Sequence, residues 1–269
     1  MRGISRSSLE DVTARLDAIL PSANAVTLGH ELFEVVDLLQ REHPLRRWLA
    51  DPAGDPNAKS ELTSQLLETK VSPSTVIVAG DLVRNKWSTS RDLVEAAERM
   101  AVFATVASVE GAQRLGELED ELFRFGRVVA AEPQLRAALT QEGVAVEHKR
   151  TLVENLLSGK VSGATLVLVT EAVTRPRGRT LEQSIDHFGQ LVAERAKRYI
   201  AVVRTAVPLS ETQQTRLRET LTRLYDRAIH LNIEIAPDVV GGLSIRVGDE
   251  VIDGTIAGRL AEVRRRLAR

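Results

Sequence analysis

The residues best suited to chemistry are concentrated near the end of the chain, in the stretch GGLSIRVGDEVIDGTIAGRLAEVRRRL (residues 241–267). It holds five glycines, two aspartates and five arginines. Glycine-rich loops cradle phosphate groups through backbone N–H groups, and clustered carboxylates bind hard cations. The spacing favours neither site. No glycine-rich run closes on Lys-Ser/Thr, no strand leads into G-x-G-x-x-G, and the acids lack the spacing of a calcium loop.

The rest of the sequence offers no catalytic constellation. The absence of cysteine excludes a thiol nucleophile and a thiolate metal site. The five histidines are scattered without H-E-x-x-H spacing, and no G-x-S-x-G occurs. The sequence therefore predicts a protein that is not an enzyme, with no catalytic, cofactor-binding or metal-binding residue.

A β-hairpin followed by an amphipathic helix explains the same stretch. Gly248-Asp249 is predicted to close the hairpin as a two-residue turn, because glycine accepts a positive φ without steric cost. Asp253 is predicted to face Ser244 and to cap the helix that follows, and Gly254 lets the chain leave the strand. The other expected pairs are Val247 with Glu250 and Ile245 with Ile252. Structural roles in the hairpin and cap are assigned to Gly242, Gly248, Asp249, Asp253 and Gly254.

Composition limits the classes of partner. The chain has 269 residues, 43% hydrophobic and 27% charged, with 3% aromatic residues and a net charge of −1. This composition is typical of a globular, helix-rich protein. The near-neutral net charge gives no general positive electrostatic potential that would attract nucleic acid. The longest apolar runs, VIVAGDLV and ATLVLVTEAV, fall short of the roughly 18 residues of a membrane span. No signal peptide is predicted, since Glu10 and Asp11 precede any apolar run.

An internal duplication organises the sequence. When it is shifted by 90 residues, the segment 31–83 matches 121–173 with 16 identities and no gap. Ordinary composition predicts about four. Apolar residues recur at helical spacing in both segments, so each is interpreted as part of a helical bundle. In the later helix the buried stripe is expected at Leu181, Ile185, Phe188 and Val192, with Glu194, Arg195, Lys197 and Arg198 in solvent.

After about residue 199 the pattern changes. YIAVVRTAVPL and LNIEIA are predicted strands, and between them Ser210 and Gln213 form a capping box that begins a helix. The buried stripe of that helix is expected at Leu217, Leu221, Leu224 and Ala228. The predicted fold is mainly α: two related helical bundles, 1–100 and 101–199, followed by a small α+β domain, 200–269, with a β-hairpin and a C-terminal helix.

The terminal segments IAVVRTAVPLSETQQTRL and GGLSIRVGDEVIDGTIAGRLAEV resemble the C-terminal domain of the delta subunit of bacterial F-type ATP synthase, a relative of the mitochondrial oligomycin-sensitivity-conferring protein. Residues 101–199 resemble the N-terminal bundle of that family, and 1–100 look like an extra copy found in a long form. The resemblance implies a non-catalytic stator connector. It would link the alpha/beta hexamer to the peripheral b-subunit stalk, so that proton-driven rotation is coupled to ATP synthesis.

The resemblance also implies partners and sites. The alpha-subunit N-terminal helices would enter a groove between the segments 90–109 and 162–174. Candidate groove residues are Val102, Val106, Leu166, Val169 and Val173. The arginine-rich last helix, with Arg259, Arg264 and Arg265, could meet an acidic stalk helix, or it could be a solvated helix end. The expected location is peripheral, at the cytoplasmic face of the cell membrane within the complex, without direct membrane insertion and without nucleic acid.

Two alternatives remain from the residues themselves. A helical RNA-binding module fits the size, although the near-neutral charge and the lack of an aromatic stacking platform weigh against it. A signalling adaptor would share every pattern described, and only the resemblance separates it from a stator connector. The first copy is expected either to bind a second alpha N terminus or to brace the stalk.

Overall fold

The computed structural model describes residues 3–109, 112–197, 200–225, 229–236, 239, 241–247 and 250–253. These residues contain twelve α-helices and a four-stranded sheet. The sheet follows α11, and α12 lies between its first two strands. The helices are α1 (Ile4–Ile19), α2 (Ala25–Arg41), α3 (His43–Ala50), α4 (Pro56–Leu67), α5 (Pro73–Arg84), α6 (Ser90–Ala107), α7 (Ala112–Ala131), α8 (Pro133–Thr140), α9 (Val146–Leu157), α10 (Gly163–Thr174), α11 (Leu181–Lys197) and α12 (Glu211–Tyr225). The strands are β1 (Ile200–Thr205), β2 (His230–Ile235), β3 (Leu243–Val247) and β4 (Glu250–Asp253). The predicted fold class, mainly α with a small α+β part, is confirmed.

Local sequence sets the helix starts. Side chains of Asn24, Asp55, Thr89 and Ser162 accept backbone N–H bonds at the first turns of α2, α4, α6 and α10. These bonds satisfy donors that have no partner within the helix. Several helices also carry proline in the first turn, where its missing N–H costs nothing. Polar caps after short breaks therefore explain why the chain folds as many short helices.

The duplication is visible in the helix boundaries. Helices α3, α4 and α5 reappear as α8, α9 and α10 with both ends shifted by 90 residues. The same shift carries α1 onto 94–109, which overlaps α6, and carries α6 onto 180–197, which overlaps α11. Helix α6 is thus the last helix of the first copy (α1–α6) and the first helix of the second copy (α6–α11).

This double membership shows in the burial of α6. It packs against α1, α2, α3 and α5 on one side and against α10 on another. Twelve of its eighteen residues are buried, including Leu93, Met100 and Phe103. A surface helix buries only one stripe, so α6 acts as the central helix of the helical part.

The chain divides into two compact units. One contains residues 1–109 and 118–192, and the other 110–117 and 193–269. The predicted boundary at residue 100 lies inside α6, because that helix serves both copies. The predicted division into three domains is not tested by this arrangement and stays a prediction.

The described strands form one sheet in the order β2-β1-β3-β4. Strands β1 and β2 are parallel, with α12 between them in the chain, whereas β1 with β3 and β3 with β4 are antiparallel. The predicted hairpin register is confirmed: Ser244 faces Asp253, Ile245 faces Ile252 and Val247 faces Glu250. The core of this part comprises Ala201, Val203, Leu221, Ile229, Ile245 and Val247.

Two helix-face predictions are wrong in one described residue each, and two further predicted positions, Arg198 and Ala228, lie outside the described residues. Leu224 on α12 is 63% exposed, because the inner stripe runs from half-buried Leu217 through buried Leu221 to half-buried Tyr225 in steps of four. Arg195 on α11 is buried, not in solvent. The stripe Leu181, Ile185, Phe188 and Val192 is buried as predicted.

The capping box of α12 is confirmed. The Ser210 backbone N–H donates to Gln213 Oε1 at 2.9 Å, and the Gln213 N–H donates to Ser210 Oγ at 3.3 Å. Thr180 and Gln183 form the same reciprocal pair before α11, which the sequence interpretation missed. Both pairs satisfy two free donors at once and define where each helix begins.

Candidate interaction surfaces

A half-buried carboxylate repeats in both copies. In the first copy Glu31 accepts hydrogen bonds from the Ser72 N–H at 2.9 Å, the Ser72 hydroxyl at 2.7 Å and the Thr75 hydroxyl at 2.6 Å. These donors lie at the start of α5, where a negative charge also meets the positive end of the helix dipole. Burial raises the pKa of Glu31, but the bonds from Ser72 and Thr75 outweigh it, so the pKa is lowered overall.

The second copy reproduces this contact. Glu121 accepts from the Ser162 N–H at 3.0 Å and from the Thr165 hydroxyl at the start of α10. Each glutamate is 41 residues from its serine, as the shift by 90 requires. The identities Glu31/Glu121 and Ser72/Ser162 therefore encode a structural contact that fixes α5 on α2 and α10 on α7.

A loop of three arginines, residues 175–179, joins the two copies. We call it the arginine loop. Arg177 is its most buried member, with a side chain 5% exposed, and its guanidinium lies 3.1 Å from Asp37 Oδ1 and 2.8 Å from Glu171 Oε2. Its guanidinium carbon lies 5.4 Å from the ring centroid of Phe33. A second-copy residue thus contacts both the carboxylate and the aromatic ring that the first copy presents on α2.

The backbone of Arg177 has a φ of 51°, in the left-handed region. This conformation costs a residue with a Cβ atom roughly 1–2 kcal/mol. The following Gly178 also has a positive φ, 76°, which glycine accepts freely. The loop therefore holds an unfavourable backbone conformation at its most buried residue, whose side chain contacts Asp37 and Phe33 of the first copy.

Arg175 and Arg179 flank that central contact. Arg175 donates to Glu34 Oε1 at 2.6 Å and to Glu171 Oε1 at 2.9 Å, and also pairs with Asp37. Burial lowers the pKa of Arg175, but its carboxylate partners raise it overall. Arginine suits this position because its planar fork can meet several carboxylates and stays charged.

Glu98 on α6 is the carboxylate most enclosed by this network. Its side chain is 2% exposed, and Arg179 donates to its two oxygens at 2.9 and 2.7 Å. His187 Nε2 lies 3.4 Å from Oε2 and Arg177 lies 3.5 Å from Oε1. Burial raises the pKa of Glu98, but the bonds from His187 and Arg179 and the charges of Arg179 and Arg177 lower it to about 2.

The sequence interpretation treated the RPRG segment only as a helix break. One signal was available: the shift by 90 aligns Arg177 with Trp87, a buried residue that is 1% exposed and donates to the Leu82 carbonyl. An arginine in place of a core tryptophan requires buried carboxylates, and those lie on α2 and α6, far away in sequence. Only the three-dimensional fold brings them together.

The predicted groove residues lie on two helices that contact each other, α6 and α10. Leu166 is half-buried. The other four have exposures between 0 and 4%: Val102, Val106, Val169 and Val173. The chain itself covers their side chains, since α6 is packed from two sides and α10 packs against both α6 and α9. Partner contact at these positions stays a prediction.

The predicted C-terminal positions are only partly described. Gly242 has a φ of 82°, a conformation that favours glycine, and lies directly before β3. Asp253 ends β4 opposite Ser244. Outside the described residues lie Gly248, Asp249, Gly254, Arg259, Arg264 and Arg265.

Within the described ranges, no group of three or more His, Asp or Glu side chains is placed to hold a metal ion. No helix in this part of the chain is long and apolar enough to cross a membrane.

Comparison with known proteins places the chain in a family. The sequence model described as "ATP synthase delta (OSCP) subunit" matches residues 100–267. A curated protein from Thermobifida fusca named ATP synthase subunit delta is 73% identical over 268 residues, covering 100% of both chains. The protein of the same name from Streptomyces avermitilis is 47% identical, covering 99% of this chain and 98% of its own.

A solved structure of the Toxoplasma gondii mitochondrial ATP synthase hexamer contains a chain 15% identical to this one. It covers 64% of this chain and 95% of its own, with a TM-score of 0.35, a likeness too slight to carry an argument.

The sequence matches define the class of protein, a structural and non-catalytic subunit of ATP synthase. Within that class the chain belongs to the ATP synthase delta (OSCP) subunit family. Its curated relatives share the long form, since they match over the full length, whereas the family model begins at residue 100, inside α6.

Proposed function

We propose that the chain is the stator connector of an F-type ATP synthase. It links the alpha/beta catalytic hexamer to the peripheral stalk of b subunits, so that the hexamer does not turn with the central shaft. The observation that carries the proposal is the family match across residues 100–267, which contains the second copy and the C-terminal part together. A connector needs both, one for each neighbour.

The contacts between the copies support this role mechanically. A clamp that resists torque must not yield between its own parts. The first and second copies share α6 and are held by buried ion pairs of the arginine loop with Asp37 and Glu98. Closely packed interiors transmit strain instead of absorbing it.

For the hexamer we propose the α6–α10 region as the site of the alpha N-terminal helices. An amphipathic helix would lie in a groove with apolar anchors at helical spacing. Leu166 is the accessible candidate, while Val102, Val106, Val169 and Val173 would support it from below. For the stalk we propose the arginine-rich end, with Arg259, Arg264 and Arg265 facing acidic b-subunit side chains.

The proposed location is peripheral, at the cytoplasmic face of the cell membrane, held there by the complex. For the first copy we propose either a second alpha N terminus or the stalk as its partner. Removing residues 1–88 leaves α6 whole, since that helix begins at Ser90. If the shortened chain folds and binds hexamer and stalk as tightly as the full chain, the first copy has neither role.

The central experiment is reconstitution of membranes from which this subunit has been stripped. Added full-length chain should restore ATP synthesis driven by a proton gradient. Leu166→Asp should weaken binding to the isolated hexamer about tenfold or more, while Arg264→Glu with Arg265→Glu should weaken binding to the b subunits. Leu224→Asp, at a position already 63% exposed, is the control expected to leave hexamer binding unchanged. Failure of the wild-type chain to restore coupling would contradict the proposal.

A further inference from the structure

Helix α7 of the second copy carries a face that is exposed to solvent in the described part of the chain. We call Phe123, Arg124, Arg127 and Val128 the α7 face. Phe123 is 63% exposed and Val128 is 50% exposed, and both arginines are exposed. The four lie at i, i+1, i+4 and i+5, so they share one side of the helix. An exposed phenylalanine beside two arginines has the composition of a protein-binding surface.

The corresponding face of the first copy is an occupied interface. Phe33, 90 residues before Phe123, is fully buried against Phe188, with ring centroids 6.2 Å apart, and beneath Arg177. Its neighbours Glu34 and Asp37 pair with the arginine loop. When this face of the repeat is covered, its aromatic ring packs against an apolar side chain of the neighbouring segment. The charged residues beside the ring pair with opposite charges.

The charges are reversed on the α7 face. Arg124 stands where the first copy has Glu34, and Arg127 stands where it has Asp37. Another arginine loop placed there would bring like charges together, which disfavours a second copy of this chain as the occupant. Carboxylates on the incoming partner would pair instead.

An open apolar cavity adjoins the same face. Its volume is about 280 Å³, and the charged residues of its lining are Glu121, Arg124 and Lys160. The apolar lining consists of Phe125, Val128, Leu135, Leu156, Leu157 and Val161. The equivalent cavity of the first copy, around Val35 and Leu66, has closed to about 20 Å³.

The two copies also differ in sequence where the fourth and fifth helices of each copy pack together. In the first copy Gly80 approaches Ser60 so closely that an added Cβ atom would lie 2.9 Å from the serine hydroxyl, which lets α5 pack tightly on α4. The corresponding residues of the second copy are Thr170 and Arg150. Both side chains are larger than those they replace, so the close approach seen at Gly80 is not available to the second copy.

We propose that the α7 face and its cavity bind an amphipathic helix of another protein, one that inserts a large apolar side chain into the cavity and places acidic side chains on Arg124 and Arg127. This surface is built from other residues than those proposed for the α6–α10 groove and for the arginine-rich end of the chain. It depends on the proposed function only in that the partner is sought within the assembled ATP synthase.

The test is site-specific photocrosslinking in the purified complex. A photoreactive benzoylphenylalanine replaces Phe123, whose exposed ring tolerates the exchange, and adducts are mapped by mass spectrometry. The expected adduct lies on a helical segment that carries acidic side chains beside an apolar one. Arg124→Glu with Arg127→Asp, which gives this face the charges of the first copy, should lower its yield at least fivefold. Arg47→Glu, at an exposed position on α3, should not.

Three results would overturn the proposal: no adduct in a complex that is otherwise complete and coupled, an adduct only with a second copy of this chain or with lipid, or a yield that the charge reversal leaves unchanged. The proposed function fails separately, when the chain does not restore coupling at all.

Discussion

Arg177 of the second copy lies across the ring of Phe33 in the first, with its guanidinium carbon 5.4 Å from the ring centroid. The same guanidinium pairs with Asp37, Glu98 and Glu171. One side chain therefore connects α2, α6 and α10, and the join between the copies depends on a buried charge as well as on apolar packing.

Removing that charge should be costly. Arg177→Ala would leave buried carboxylates without their partner, and we expect a loss of about 3–5 kcal/mol in the free energy of unfolding. Urea denaturation followed by circular dichroism measures it. Arg136→Ala is the matched control: its pair with Glu182 spans 3.5 Å between half-exposed side chains, so at most about 1 kcal/mol should be lost. Equal losses in the two variants would contradict a special role for the arginine loop.

The backbone at position 177 gives a second prediction. Its φ of 51° suits glycine better than alanine. Arg177→Gly should therefore destabilise the chain by about 1 kcal/mol less than Arg177→Ala, although both remove the same charge. A glycine variant that is the less stable of the two in urea would show that the left-handed conformation is not held in solution.

Glu98 should make stability depend on acid. Because its pKa falls from 4.5 in the unfolded chain to about 2 in the folded chain, its contribution is fully present above pH 4.5 and is lost as the pH falls towards 2. The difference corresponds to about 3 kcal/mol. Unfolding measured between about pH 6 and pH 3 should show a smaller decline in Glu98→Gln than in the wild type. Parallel declines would contradict the lowered pKa.

The repeated glutamates should have similar effects in both copies. Glu31→Gln and Glu121→Gln each remove a negative charge that accepts bonds at a helix start, and each should cost about 1–2 kcal/mol. Glu61→Gln, at an exposed position, serves as the control and should lie within about 0.5 kcal/mol of the wild type. Chemical denaturation provides the comparison, and a cost confined to one copy would show that the repeated contact is not equivalent.

Gly29 marks a close approach of α2 to α6. A Cβ atom there would lie 2.8 Å from the Thr105 backbone nitrogen, so the two helices would have to separate. Gly29→Ala should cost about 1–3 kcal/mol despite the better helix propensity of alanine. Gly189→Ala, on α11 with nothing within 4 Å of its Cβ position, should instead gain up to about 1 kcal/mol. Thermal unfolding of the pair decides the sign of each change.

Local sequence patterns predicted much of the architecture. Alternating β-branched residues and a glycine turn fixed the pairing of Ile245 with Ile252, and a serine three residues before a glutamine located the start of α12. The identity of Glu31 and Glu121 pointed to the duplication. Each of these features depends on neighbours in sequence or on a constant shift.

The contacts of the arginine loop could not be predicted from local patterns. Arg177 has partners on α2 that lie 140 residues earlier, and no local pattern records such a distance. The predicted burial of Leu224 failed because a helix face can turn by one residue when a sheet sets its orientation, so that Tyr225 takes the inner position. Likewise, periodicity marked Val102 and Val106 as apolar but could not show that α6 is covered from both sides.

Because α6 belongs to both copies, they are connected through one continuous helix and not through a flexible linker. To turn one copy against the other, an 18-residue helix would have to bend in its middle while its buried side chains left their neighbours. A force applied to α1 would therefore be transmitted through α6 to α11, with little displacement absorbed between the two copies.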